Sequence, residues 1–138
     1  MTLIAKALVL FVAIFHTSIA IVETAFWMHP AVHTLALKRL TTGSSLTPLV
    51  QAQTLKTLFF NLGFYNLFLA IAGIAGLFLI VRGHLTAGRT LIAYMCLSAT
   101  GAGIVLLIST GAAIGAALQA VPAAAALALM YRATTAES

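Results

Sequence analysis

The chain has 138 residues, of which 62% are hydrophobic and only 7% charged, with a mean hydropathy of +1.13. Soluble domains carry roughly 25% charged residues, so this composition excludes an ordinary water-soluble fold, and the length leaves room for four membrane spans and short connections in one domain, residues 1–138. The net charge of +5 comes from Lys and Arg at the edges of apolar runs, where they mark topology; a basic groove for nucleic acid is not expected.

The first span is predicted from about Leu3 to Met28, ending at His29-Pro30, because proline restricts the residue before it away from helix. Lys6, the apolar stretch after it and Ser18-Ile19-Ala20 imitate a cleavable signal. The apolar character continues past that point to Met28, which favours a retained span. Residues 29 to 47 form the one sizeable loop. Within it Pro30 to Leu40 mixes Val32, Leu35 and Ala36 with His33, Lys38 and Arg39, the pattern of a short helix lying in the membrane interface.

The second span is predicted to start at Thr47-Pro48, a cap followed by a proline in the first turn, and to run to about Val81. Gln51, Gln53 and Lys56 make its first two turns polar enough to project from the membrane. No charged residue occurs between Arg89 and Arg132. That distance suits two spans and is too long for one, so a hairpin is required. Its turn is placed at Ser109-Thr110-Gly111, between spans of about Leu85 to Ile108 and Gly111 to Tyr131.

The expected architecture is an all-α bundle of four transmembrane helices. Lys6, Arg82, Arg89 and Arg132 fall at one end, and Lys38, Arg39 and Lys56 at the other with the uncharged hairpin turn. The positive-inside rule then puts both termini in the cytoplasm of a plasma or inner membrane. Cys96 lies inside an apolar run as a small packing residue.

Polar residues inside the spans are the candidates for function, because an ionisable group at the bilayer centre costs on the order of 3 kcal/mol on insertion scales. His16, Ala20, Glu23 and Trp27 form a stripe about 60° wide on the first helix. Glu23 is the only acid besides Glu137 in the tail; it needs a partner such as His16, Lys56, Asn61 or Tyr65. On the second helix Asn61 and Tyr65 share a face. Gly63, Asn66, Ala70 and Gly73 lie roughly opposite, a side suited to close packing with Asn66 as an interhelical hydrogen-bonding group. On the fourth, Gly111, Gly115, Gln119 and Ala123 recur every four residues as a packing seam, and Pro122 removes the hydrogen bond to Leu118 and should kink the helix.

His29 and His33 are four apart but lack the further ligands a metal needs. No phosphate loop, nucleophile motif or CxxC pair is present, so neither a metal nor a cofactor is expected. The residues instead support a pocket lined by His16, Glu23, Trp27, Asn61, Tyr65 and Gln119 that binds a small lipophilic or amphipathic molecule. Alternatives are proton-coupled transport through Glu23, acid–base catalysis by Glu23 and His16 on a lipid-soluble substrate, and an accessory subunit of a larger complex. Expected partners are membrane lipids, the small ligand and a second copy of the chain.

The run Asn61-Leu62-Gly63-Phe64-Tyr65-Asn66 resembles the asparagine-X-glycine-X-tyrosine-asparagine signature of a small membrane family catalogued as domain of unknown function 1304. That family also shows a first-helix His and a Glu followed four residues later by Trp, resembling His16, Glu23 and Trp27, and a late Gln three residues before Pro-Ala, resembling Gln119, Pro122 and Ala123. This chain departs from the family pattern at Leu62, where the family has Gln, and at Gly103-Ile104-Val105-Leu106, where it has a glycine-tyrosine-glycine element. The resemblance implies a four-helix integral membrane protein and no assigned activity.

Overall fold

The structure, a computed structural model, describes residues 1–40 and 43–135. Among these residues five helices follow one another: α1 (Leu3–Ala25), α2 (Pro30–Leu40), α3 (Pro48–Val81), α4 (Leu85–Thr110) and α5 (Ala113–Thr135). Among the described residues there is no strand. All but α2 are long and apolar enough to cross a membrane.

Local chemistry accounts for most of the boundaries. Thr2 and Thr47 cap α1 and α3, their hydroxyl oxygens accepting from the amides of Ala5 and Val50, and Pro48 fits the first turn of α3 because its missing N–H would have no partner there. Gly111 ends α4 in the left-handed conformation, φ +67°, and its amide donates to the Leu107 carbonyl. A Cβ would be strained at that φ, which is why glycine closes the hairpin.

Helix α1 stops earlier than the sequence predicts, at Ala25 instead of Met28. Pro30 does break the helix, but it serves as the first residue of α2, and reversing the chain into a second helix consumes the four residues before it. Short turns close this segment, with Phe26 N–H donating to Val22 and His29 N–H to Phe26. Helices α4 and α5 meet at Gly111-Ala112, close to the predicted turn.

The spanning helices form a four-cornered bundle: α1 packs on α3 and α5, α4 packs on the same two, and α1 and α4 barely meet across the diagonal. The short α2 lies against α3. Large apolar side chains such as Ile14, Phe68, Phe78, Ile108 and Ile114 point outward and are more than half exposed. The interior is rich in small residues, including Ala5, Ala13, Ala70, Ala99, Ala123 and Ala126. Lipid is as apolar as leucine, so helices associate by close backbone approach and not by hiding apolar bulk.

The closest approach joins α3 to α4 near their connecting turn. A Cβ added at Gly76 would lie 2.8 Å from the Gly88 carbonyl oxygen, and one at Gly88 would lie 2.6 Å from the Gly76 oxygen. Both obstacles are backbone atoms and cannot swing aside. Nearby, Val9, Val12, Ile92, Met95 and Cys96 are fully buried and fill the half of the bundle that holds the termini.

Gly76→Val should therefore destabilise the fold by about 1–3 kcal/mol, the usual cost of overpacking. Gly101, with nothing within 4 Å of an added Cβ, should accept alanine with unchanged or slightly higher stability. Unfolding of both variants in mixed micelles checks the contrast.

Candidate functional site

Away from the termini the bundle opens. Between all four spanning helices lies a cavity of about 420 Å³. Its walls are mostly apolar, with Phe15 and Ile19 from α1, Leu62 and Leu69 from α3, and Ala102 and Leu106 from α4. Its polar groups are Glu23, Tyr65, Asn66 and Gln119.

Glu23 sits in the last two turns of α1 and faces inward. Asn66 Nδ2 donates to Glu23 Oε2 at 2.9 Å and also to its own helix at the Leu62 carbonyl, 3.1 Å. This hydrogen bond couples α1 to α3 where Gly63 lets the backbones approach: an added Cβ there would sit 3.0 Å from the Ala20 oxygen and 3.3 Å from Glu23 Cβ. The neighbouring hydroxyls are satisfied within the helix, Thr24 donating to Ala20 at 2.7 Å and Thr17 to Ala13 at 2.9 Å. Among the described residues Glu23 is thus the one carboxylate side chain on a cavity that is otherwise lined by apolar groups and by the uncharged polar groups of Tyr65, Asn66 and Gln119.

A second, smaller cavity of about 300 Å³ lies beyond the end of α1 and is lined by Glu23, Thr24, Trp27, Lys56 and Phe60. The Glu23 side chain stands between the two spaces. Trp27 belongs to this outer site. It falls in the turn after α1, 3% exposed, with its ring stacked on Phe59 at 3.6 Å and its indole N–H donating to the Ala52 carbonyl at 2.9 Å. With Leu37 and Ala52 it forms a small second core that holds α2 and the start of α3 together.

The remaining candidates are distributed differently from the sequence expectation. His16 is fully buried but lines neither cavity. Its Nδ1 lies 2.9 Å from the Val12 carbonyl; a carbonyl only accepts, so Nδ1 carries the hydrogen, and Nε2 has no hydrogen-bond partner among the described residues. Asn61 is exposed and also lines neither cavity. Tyr65, 66% exposed, stands at the rim of the larger cavity. Gln119 lines that cavity from α5, together with Gly115.

Gly115 and Gly111 do not form the expected seam. A Cβ at Gly115 would meet only Leu106, at an ordinary 3.6 Å, and Gly111 is the helix cap. Close α4–α5 packing instead runs through Gly103 against Ala116 and Ala120. Pro122 lies within a continuous α5 and borders an outer groove beside Leu8 and Phe11.

Asn66 is the interhelical hydrogen-bonding group that the sequence predicts on the glycine side of the second helix, with Glu23 as its partner; what the sequence reading left out is its place on the cavity wall. The signal was present: it shares a face with Gly63, and the tight helix contact that a glycine permits is where an intramembrane acid on the partner helix finds its donor. Among the described residues no group of three or more His, Cys, Asp or Glu is placed to hold a metal ion.

An all-helical bundle with four membrane-length apolar helices around a partly polar interior defines a multi-pass integral membrane protein. Within that class, the chain belongs to the family described as Protein of unknown function (DUF1304), whose family model matches residues 10–131. No curated protein and no solved structure matches the chain.

Asn66→Leu removes the donor from the Glu23 carboxylate and should cost about 1–2 kcal/mol in unfolding free energy. Asn61→Leu should change it by less than about 0.5 kcal/mol, because an outward position loses no buried partner.

Proposed function

We propose that the protein binds a small amphipathic molecule in the cavity between its four spans, with its polar group on Glu23 and its apolar body against Phe15, Leu69 and Leu106. The observation that carries this reading is the Glu23 carboxylate: it faces an apolar space and has Asn66 as its one hydrogen-bonding neighbour among the described residues. A carboxylate accepts several hydrogen bonds, and leaving that capacity unused away from water is costly. A ligand hydroxyl or amine would use it. Gln119 and Tyr65 lie on the same cavity and would fix orientation. The volume, about 420 Å³, falls in the range of small-molecule sites.

The test is purification in mild detergent, extraction, and mass spectrometry of what co-purifies. Wild type should carry a defined molecule at close to one equivalent, Glu23→Gln should lose it while keeping its helical circular dichroism, and Asn61→Ala should keep it. Retention by Glu23→Gln overturns the assignment.

A second reading, proton-coupled transport, rests on Glu23 bordering both cavities, so that one carboxylate could serve a deep and a shallow position in turn. Uptake into proteoliposomes under a pH gradient, abolished by Glu23→Gln, would favour it over simple binding. Acid–base catalysis by a Glu23 and His16 pair has no comparable support, since His16 is not a wall of either cavity.

We also propose that both termini and the α3–α4 turn face the cytoplasm, from the basic residues Lys6, Arg82, Arg89 and Arg132 at that end. In a Cys96→Ala background, His84→Cys, exposed beside the α3–α4 turn, should be shielded from an impermeant maleimide in intact cells, and Ser109→Cys, exposed at the end of α4, should be labelled.

A further inference from the structure

A separate groove lies at the end of the bundle that holds the termini. Between α4 and α5 it encloses about 780 Å³, larger than the cavity at Glu23. Its α4 wall is a single stripe, Thr86, Arg89, Thr90, Ala93, Leu97 and Thr100, and its α5 wall runs from Ala124 through Leu127 and Ala128 to Tyr131.

The order of these residues along the groove is chemical. Thr86, Arg89, Thr90 and Tyr131 cluster at the end of the helices, where headgroups lie. Below them the walls are apolar apart from Thr100, whose hydroxyl donates to its own helix at the Cys96 carbonyl, and alanines at 93, 124 and 128 leave the depth that larger side chains would fill. From Thr86 to Thr100 an α-helix rises about 21 Å, enough to run from the interface to the middle of a hydrocarbon core about 30 Å thick. The groove therefore has the length and polarity profile of one lipid chain with its headgroup.

Charge selects among lipids. Lys6, Arg82, Arg89 and Arg132 lie at this end, and among the described residues Glu23 is the only carboxylate side chain, at the opposite end of α1. Basic grooves between helices at the headgroup level attract anionic lipids. We propose that the α4–α5 groove binds an anionic glycerophospholipid, its phosphate held by Arg89 and the Thr86 and Tyr131 hydroxyls and one acyl chain laid along Ala93, Leu97, Ala124 and Ala128.

Native mass spectrometry of protein reconstituted in vesicles of equal phosphatidylglycerol and phosphatidylcholine tests this. Wild type should retain phosphatidylglycerol in preference, Arg89→Gln should lower that preference about fivefold, and Arg89→Lys and Arg82→Gln should largely keep it. Leu97→Trp, which fills the groove from an exposed position, should displace the bound lipid and leave the helical circular dichroism unchanged. Millimolar inorganic phosphate should not compete, because it lacks the chain. The proposal is overturned by equal retention of both lipids, by an unchanged preference in Arg89→Gln, by displacement with inorganic phosphate, or by a lipid-free dimer that Leu97→Trp disrupts.

Discussion

The bundle depends on how closely two backbones can approach without water to drive them together. At Gly76 and Gly88 each helix presents bare backbone to the other's carbonyl, and the dispersion attraction between them replaces the hydrophobic effect that would hold a soluble bundle. Around that seam the terminal half of the molecule is filled with Val9, Val12, Ile92, Met95 and Cys96. Past His16 the large buried apolar side chains among the described residues are Trp27 and Leu37 of the small second core, and between that core and the filled half the four helices surround space.

Closure at one end and space at the other give the molecule a polarity that its connectivity alone does not require. The open half contains Glu23, a carboxylate held by an asparagine on the facing helix, with Gln119 across the cavity on α5. Trp27 and Phe59 stack on the α2 side, and the indole N–H ties the turn to α3. A carboxylate placed between a deep cavity and a shallow one is a costly arrangement in lipid, and that cost makes Glu23 the natural focus of the proposed binding site. The α4–α5 groove, by contrast, has Thr86, Arg89 and Tyr131 at the helix ends and a mostly apolar wall within the bilayer, as suits a lipid bound from the side.

Much of this was legible in the residues. Apolar runs and their charged borders located four spans, Thr47-Pro48 marked the start of α3, Gly111 marked the hairpin, and Pro30 to Leu40 showed a separate short helix. Glu23 and Gln119 stood out as polar groups with no reason to be in a membrane. Asn61 and Asn66 were less tractable. Both occur in one short run, and helical spacing says only that they occupy different faces; it does not say which face meets α1. The structure turns Asn66 inward and Asn61 out. Trp27 was misplaced for another reason, since its place on the Glu23 stripe assumed a helix that in fact ends at Ala25.

By itself the sequence determined that the chain crosses a membrane as a helical bundle, because burying peptide groups in lipid leaves few alternatives to continuous apolar helices. Tertiary structure decided which polar side chains meet. That depends on the rotation and depth of each helix against its neighbours, set by small residues such as Gly63, Gly88 and Gly103 pressing on particular partners, and such pairings are properties of two helices that neither one carries alone.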